Sequence, residues 1–576
     1  MHEASQVEPT PRPTPIFTIT TVHLLSGNVL SRTFYPFPSI RRKNRPTCNK
    51  WRVPMAEARS LMLSLLVCEY ALIMAMGNRP RTTSIHVLDD DSLLHVFYFY
   101  RPFLLGEDQD EDAHIWGGNE GWDRGRWWYK LAHVCQRWRR VMLGSASYLE
   151  LFLVCTNGTP VADMLAHSPP HLPLIIDYSR DVTAEEEAKV ILALKQRDRV
   201  RRIRLDMPVT SLQKFIAVIE EEYPILEYLG IMQVAEDNEA GLIFPETLQA
   251  PQLRHLTLVD FILPIGSRLL ATAIGLVSLC LLMDHPSTYF HPNTLLRWLS
   301  FMPQLETFLI NYSRPDPDRD VESQLTHTPI ATPITLPNLH CLTFQGVSTY
   351  LEALIYHITT PRLEKLEIVF LDQLSYFVPH FLQFINTTES LRFNTALFGF
   401  SDENFIAAFC PNEESEMYAV CILVSCCLDR QVSSAAQICN SLSQTFSVVE
   451  HLTFEHEDHS VSPHIQAERT EWRGLLRPFW NVKTLRIDDG LVEELSRCLR
   501  LEDGELPLEL LPELQELTYS GSADAGDAFT SFIDARQNTD RPITLVHRSQ
   551  SPSPDSSPSA SITQSSDEAS SNPDTS

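Results

Sequence analysis

Alternating apolar and polar positions recur along the chain from residue 200 onward. The recurring unit has the form L-x-x-L-x-L and often follows a Pro. In L-x-L the two apolar side chains point to one face of a short strand, and the residue between them points to the other face. The pattern therefore predicts a series of short strands. Its copies are PILEYLGI, PQLRHLTL, PQLETFLI, PNLHCLTF, PRLEKLEI, FSVVEHLTF, WNVKTLRI and PELQELTY, with weaker copies at 200–205, 276–281 and near Leu391.

Segments between these strands have apolar residues at helical spacing, as in SLQKFIAVIEEE and NTLLRWLSFM. When the weaker copies are counted, the middle apolar residues of the first four successive units lie at positions 203, 229, 256 and 279, a spacing typical of leucine-rich repeats. One such unit cannot cover its own apolar face, so neighbouring copies must stack. We expect an α/β fold, namely an irregular leucine-rich-repeat-like solenoid of short parallel strands and helices over residues 149–547.

Two features keep an ordinary α/β domain with Leu-rich strands open as the alternative. Most copies lack the Asn or Cys that follows the strand in leucine-rich repeats. The spacing also lengthens to about 30 residues or more in the second half of the chain.

A different pattern precedes the solenoid, over residues 85–142. Asp89, Asp90, Asp91 and Ser92 supply N-cap and first-turn residues for a helix. The segment WWYKLAHVCQRWRRVML predicts a second helix, with apolar residues at intervals of three or four and arginines on the opposite side. An acidic, Gly-rich and Trp-rich insertion at 101–127 separates the two halves.

The two halves of this segment resemble an F-box. LDDDSLLHVF is similar to its first half, and HVCQRWRRVM matches the Val-Cys-x-x-Trp element that ends it. The chain departs from the family pattern at Asp89, where Pro is usual, and in the length of the insertion. It is similar to F-box proteins of mushroom-forming fungi.

The resemblance implies that the segment contributes apolar helix faces to a shared core with a Skp-type adaptor, and through it joins a cullin ligase. The adaptor contacts would then be Leu88, Leu93, Leu94, Phe97, Val134, Cys135 and Trp138. A few large apolar groups and one Trp anchor are a usual basis of such an interface. The alternative is that these residues pack the first solenoid unit as an N-terminal cap.

Composition limits the classes of partner. The formal net charge of -27 over 576 residues argues against nucleic-acid binding, because phosphate neutralisation needs a basic face. The twelve Cys stand singly or in short apolar stretches, without the dense spacing of a secreted disulfide scaffold. We therefore expect a reducing compartment, the cytoplasm or the nucleus.

The termini and one apolar stretch complete the organisation. We expect a poorly ordered region at 1–84 and a disordered Ser/Pro-rich tail at 548–576, because neither can bury enough apolar area. Leu61 to Met76 is too short for a membrane span and contains Glu69, so no membrane association is predicted. A start at Met55 would instead make this stretch resemble a signal peptide.

No known catalytic motif occurs in the sequence: G-x-x-x-x-G-K-[ST], G-x-G-x-x-G, H-E-x-x-H and G-x-S-x-G are all missing. The clusters HLTFEHEDH (His451, His456, His459) and CILVSCC (Cys421, Cys426, Cys427) are better explained by a strand with a solvated turn and by buried thiols than by metal ligands. We expect no catalytic residues, no metal and no cofactor. An enzyme with an unrecognised site is the least favoured alternative.

The sequence therefore predicts a non-catalytic substrate-recognition subunit of a Skp-cullin-F-box ubiquitin ligase. Its solenoid would hold a protein substrate of unknown identity through strand positions that point away from the apolar core. The candidate substrate contacts at such positions are Arg202, Arg204, His255, Lys365 and Arg486. The alternative function is a leucine-rich scaffold or recognition protein without ligase coupling.

Overall fold

The structure is a computed structural model. It describes residues 88–100, 126–179, 182–234, 241–285, 288–312, 333–371, 373, 376, 378–413, 415, 417–456, 467–502, 505–506, 508–520 and 523–548. The predictions for 1–84, for most of the 101–127 insertion and for nearly all of the 548–576 tail lie outside the described residues. So does the stretch from Leu61 to Met76. The described chain is a mixed α/β fold with mostly parallel strands, and it divides into two compact units at Glu364 and Lys365.

The described part of the first unit starts with three short helices and continues as strands alternating with helices. Its helices are α1 (Asp90–Tyr100), α2 (Trp127–Ala132), α3 (Gln136–Gly144), α4 (Val161–His167), α5 (Ala184–Leu194), α6 (Val209–Ile216), α7 (Arg268–Thr272), α8 (Pro292–Leu299) and α9 (Ser348–Ile355). Its main strands are β1 (Leu153–Cys155), β2 (Leu174–Ser179), β3 (Val200–Pro208), β4 (Tyr228–Val234), β6 (His255–Val259), β8 (Ser278–Met283), β9 (Thr307–Tyr312) and β11 (Cys341–Gly346). Two small ladders add β5 (Leu242–Ile243), β7 (Phe261–Ile262), β10 (Ile334–Thr335) and β12 (Ile358–Thr359).

The main strands of the first unit are all parallel and follow one another in chain order. Their register aligns Ile176 of β2 in a single row with the middle apolar residues of the motif copies, which are Ile203, Leu229, Leu256, Leu279, Phe308 and Leu342. This row is fully or almost fully buried. The strands predicted from the L-x-x-L-x-L motif are therefore confirmed.

Helices between the strands bury this row. Neighbouring helices contact each other, α4 with α5, α5 with α6, and α8 with α9, so they lie on the same face of the strands. Local sequence starts them: Thr183 accepts a hydrogen bond from the Glu186 amide at the start of α5, and α8 begins with Pro292. The strand residues at alternate positions point away from these helices, and we call that side the open face.

The second unit repeats the alternation with one interruption. Its strands are β13 (Lys365–Phe370), β14 (Thr395–Phe400), β15 (Asn404–Cys410), β16 (Val420–Ser425), β17 (His451–His456), β18 (Thr484–Ile487), β19 (Glu516–Ser520) and β20 (Thr544–Arg548). Its helices are α10 (Pro379–Thr387), α11 (Leu428–Ser441), α12 (Arg469–Leu476), α13 (Val492–Leu499) and α14 (Thr530–Gln537).

β15 breaks the parallel pattern of the second unit. It pairs antiparallel with β14 on one side and with β16 on the other. This places β16 beside β13 and β14 beside β17. The prediction of parallel strands alone is therefore wrong at this hairpin, because only three residues separate β14 from β15 and no helix can form between them.

Candidate functional site

Two of the three helices before residue 145, α1 and α3, meet at an aromatic contact. The rings of Phe97 in α1 and Trp138 in α3 meet edge to face with their centroids 5.0 Å apart. Phe97 and Leu93 are fully buried, and Leu94 is half-buried. The helical pairing predicted for 85–142 is present, and two of its candidate adaptor contacts form the interior of the helical segment.

The second predicted helix is in fact two helices. Cys135 has an extended backbone between α2 and α3, and its Sγ accepts a hydrogen bond from the Trp138 amide at 3.5 Å. The thiol thus serves as the N-cap of α3. Because the helix is interrupted at Cys135, Leu131 and Val134 do not share a helix face with Trp138. The prediction of a single helix is therefore wrong.

Charged groups hold the start of α1 against α3. Asp90 and Arg137 form an ion pair at 2.8 Å, and Arg137 also donates to the carbonyl of Leu88. Asp89 accepts a hydrogen bond from the Ser92 amide at 2.7 Å, and this bond lowers the pKa of its carboxyl. The acid run therefore caps α1 and also pairs across to α3.

An apolar strip remains on the outside of α1. Val96, Phe99 and Tyr100 lie at i, i+3 and i+4, so they share one face, which we call the α1 strip. Their exposed fractions are 42%, 70% and 59%. Sequence reasoning missed these residues because HVFYFY is apolar on every side of the helix and carries no periodic signal.

Two predicted adaptor contacts are also exposed. Leu88, at the start of α1, and Val134, between α2 and α3, both stand at the surface of the described segment. Cys135 and Trp138 are half-buried. The candidate set therefore divides into interior residues that shape the segment and surface residues that a partner can reach.

The helical segment is fastened to the first strand. Arg126, just before α2, donates to the hydroxyls of Thr156 and Thr159, at 2.9 Å each. The Trp128 indole donates to the carbonyl of Phe152 at 3.2 Å. These bonds join the start of α2 to the residues that precede and follow β1.

Two arginines dominate the open face of the first unit at β3. Arg202 and Arg204 are half-buried and two residues apart, so they point to the same face. The guanidinium carbon of Arg202 lies 3.7 Å from the centroid of the Tyr228 ring on β4, a cation–π contact. The next ring on this row, His255, has its centroid 6.2 Å from that of Tyr228.

Gly230 makes room for this stack. A Cβ at this position would lie 3.0 Å from the Tyr228 ring, so the ring lies across the glycine. The prediction placed Arg202, Arg204 and His255 on one strand face, and the structure does so. The sequence-based prediction missed Tyr228, although the alternation in PILEYLGI also places this residue on the outward face.

Asp177 on β2 lies beside the arginines. It pairs in register with Arg204 and is 5% exposed. Its Oδ2 has no hydrogen-bond partner among the described residues. Burial raises the pKa of this carboxyl to about 7, against the opposing effect of Arg204 and Arg202.

On the open face of the second unit, one of the two predicted contacts is paired with a neighbouring side chain. Lys365 is buried and pairs with Glu367 at 3.5 Å, so it is not an accessible contact as expected from alternation. Its ammonium also lies 5.6 Å from the Tyr418 ring. Arg486 on β18 is exposed, and the structure leaves it accessible on this face.

The two candidate metal clusters are differently placed. His451 and His456 both belong to β17, so the strand extends further than expected, and His459 lies outside the described residues. His451 Nδ1 lies 2.9 Å from a Glu413 carboxylate oxygen. The cluster at β16 has buried Cys421 and Cys426 beside exposed Cys427, and the described cysteines form no disulfide.

Within the described ranges, no group of three or more His, Cys, Asp or Glu side chains has an arrangement able to hold a metal ion. The described helices include none with the length and hydropathy needed to cross a bilayer. No model of a known protein family matches this chain, and no curated protein matches its sequence.

Proposed function

We propose that this protein is a substrate-recognition subunit of a Skp-cullin-F-box ubiquitin ligase, acting in the cytoplasm or nucleus. In this proposal the helices α1 to α3 bind a Skp-type adaptor, which connects the chain to a cullin. The strands and helices that follow act as a leucine-rich-repeat-like array that holds a protein substrate. The subunit itself performs no catalysis.

One observation carries the proposal. The two sequence halves that resemble an F-box pack against each other through Phe97 and Trp138, at 5.0 Å between ring centroids. This packing leaves the α1 strip at the surface, together with Leu88 and Val134. Large exposed apolar and aromatic side chains of this kind are typical anchors of protein interfaces.

The array supports the second half of the proposal. Eight parallel strands in the first unit follow chain order, with helices on one face. Stacked units of this kind offer an extended strand face for binding. The open face at β3 and β4 carries the charged and aromatic groups that suit a protein ligand.

The adaptor test compares surface with interior variants of the full chain, co-purified with a Skp-type adaptor. Phe99→Asp places a charge in the α1 strip without touching the Phe97–Trp138 contact, and we expect adaptor affinity to fall at least tenfold. Trp138→Ala should also abolish binding, through loss of the Phe97–Trp138 contact, and Leu94→Asp by placing a charge at a half-buried position of α1. The matched control is Trp480→Asp, which alters another exposed aromatic residue, in the second unit.

The result has a clear contrary outcome. If the Phe99, Trp138 and Leu94 variants all retain wild-type adaptor binding, adaptor docking by this segment is excluded. Circular dichroism of each variant separates loss of the interface from loss of folding.

A second candidate function is a recognition protein without ligase coupling, in which α1 to α3 cap the array. The bonds from Arg126 and Trp128 to the β1 region favour this candidate, since a cap must be fastened to the first strand. Failure of the wild-type chain to bind any Skp-type adaptor would select it.

A further inference from the structure

The arginine pair on β3 lies in an otherwise neutral part of the open face. Across β4 to β11, the three rows that continue from Arg202, Arg204 and Asp206 carry no acidic, lysine or arginine side chain. The residues of these rows are Tyr228, His255, Ser278, Thr307 and Cys341; Gly230, Thr257, Cys280, Leu309 and Thr343; and Met232, Val259, Leu282, Asn311 and Gln345. Charge on this face is therefore concentrated at β2 and β3.

The stack on Tyr228 orients one of the two guanidinium groups. Stacking uses the planar face of the Arg202 guanidinium, so its hydrogen bonding is directed along its edge. Arg204 follows two residues later on the same face. Two such groups suit oxygen atoms of a carboxylate or phosphoryl group, which arginine binds with paired N–H donors.

Asp177 lies beside the arginines and is too deeply buried to contact a ligand. Its carboxyl is in register with Arg204.

Burial also weakens the neutralising effect of Asp177 on its neighbours. With a pKa of about 7, its carboxyl is about half protonated at neutral pH and offsets the arginine charge only in part. Asp206 on β3 supplies a further negative charge at the edge of the group. The balance is local attraction for an anion on a chain of net charge -27.

We propose that Arg202 and Arg204 bind an anionic side chain, phosphoryl or carboxylate, of an extended peptide. The neutral rows from β4 to β11 then contact the uncharged residues that flank the anion. This inference rests on the proposed function in taking the peptide to be part of a protein substrate. It names the chemical class of that substrate at the open face.

The test uses the full chain and three fluorescent pools of short peptides with random neutral flanks. The pools differ only in the central residue, which is phosphoserine, glutamate or serine. Fluorescence anisotropy should show binding of at least one anionic pool that is at least tenfold tighter than binding of the serine pool. The ratio of the phosphoserine pool to the glutamate pool identifies which anion the site prefers.

Variants assign the binding to this site. Arg202→Gln and Arg204→Gln should each weaken binding of the preferred anionic pool about tenfold or more, equivalent to about 1.4 kcal/mol. Arg201→Gln is the matched control, because Arg201 is exposed on the same strand and paired with Glu227 at 2.8 Å. Gly230→Ala keeps every charge but displaces the Tyr228 ring, and should weaken binding severalfold.

Equal binding of the three pools, no binding of either anionic pool at millimolar peptide, or wild-type affinity in both arginine variants would each overturn the inference. Thermal unfolding of the variants identifies any that fail to fold. If an arginine variant fails to fold, the affinity of folded Gly230→Ala for the anionic pool provides the test. Adaptor binding is measured separately. A chain that binds the anionic peptides but no adaptor would count against the proposed function alone. A chain that binds the adaptor but shows no preference for anionic peptides would count against this inference alone.

Discussion

At the scale of single residues, two opposing effects, burial and neighbouring charge, determine the pKa of Asp177. Its carboxyl lies beside two arginines, which favour the ionised form, yet it is almost completely removed from water. Desolvation has the larger effect and raises its pKa to about 7. The folded chain therefore holds a proton here that an unfolded Asp releases near pH 3.9.

This difference predicts the sign of a pH effect on stability. Between pH 4 and pH 7 the folded state binds more protons at Asp177 than the unfolded state, so its ionisation makes the fold less stable as pH rises. A shift from about 4 to about 7 is worth at most about 4 kcal/mol. Asp177→Asn should raise the unfolding midpoint at pH 8 and change it much less at pH 5.

The measurement is thermal unfolding of wild type and variant at both pH values. Asp163→Asn serves as control, because Asp163 is exposed on α4 and should give no pH-dependent difference. A wild-type chain that gains stability over Asp177→Asn as pH rises would contradict the assigned shift.

Alternation along a strand predicted which face a residue lies on, and it predicted less well how exposed that residue is. Arg202, Arg204 and His255 lie together as expected. Lys365 obeys the same rule but is buried, because Glu367 and Tyr418 lie against it. Glu367 is on the same strand, but Tyr418 is brought near Lys365 by the pairing of β13 with β16, which the sequence of β13 alone does not encode.

At the scale of elements, the repeated motif predicted strands and even their register. Leu229, Leu256 and Leu279, chosen as equivalent positions by spacing, are direct partners in the parallel ladder. The hairpin of β14 to β16 escaped prediction because NFIAAFC is apolar throughout and lacks the motif. A continuous apolar run does not distinguish a parallel from an antiparallel strand.

Helix α12 is held by charge as well as by packing. Glu505 accepts from Arg469 at 2.8 Å and from Arg473 at 3.1 Å, and the Arg473 side chain is 9% exposed. Glu505→Ala leaves a nearly buried guanidinium with one partner fewer, so we expect a loss of about 1–3 kcal/mol. Urea unfolding followed by fluorescence of Trp472 and Trp480 would measure it in the second unit.

The control is Glu493→Ala on α13. Glu493 pairs with Arg497 one helical turn away, and both side chains are exposed, so the change should cost about 0.5 kcal/mol or less. Equal losses in the two variants would show that Glu505 contributes no more than a surface pair.

At the scale of the whole molecule, the sequence predicted a helical segment followed by a strand-and-helix array. What it did not predict is how the segment is attached. Arg126 lies at the edge of an insertion with no regular pattern, and its partners Thr156 and Thr159 follow a three-residue strand that lacks the motif. A bond between two irregular regions leaves no periodic signal in the sequence.

That attachment predicts a localised response to mutation. Arg126→Ala removes charge-assisted hydrogen bonds worth about 1.5–3 kcal/mol, so α2 should open more often and its amides should exchange at least tenfold faster. Amides of β11, in the same unit but remote in chain order, should keep their wild-type rates. Arg140→Ala is the control, because Arg140 is 75% exposed and its one ion pair among the described residues, with Asp90 at 4.0 Å, is long and weak. Faster exchange throughout the unit would mean that Arg126 supports the array itself and not the attachment of the helices.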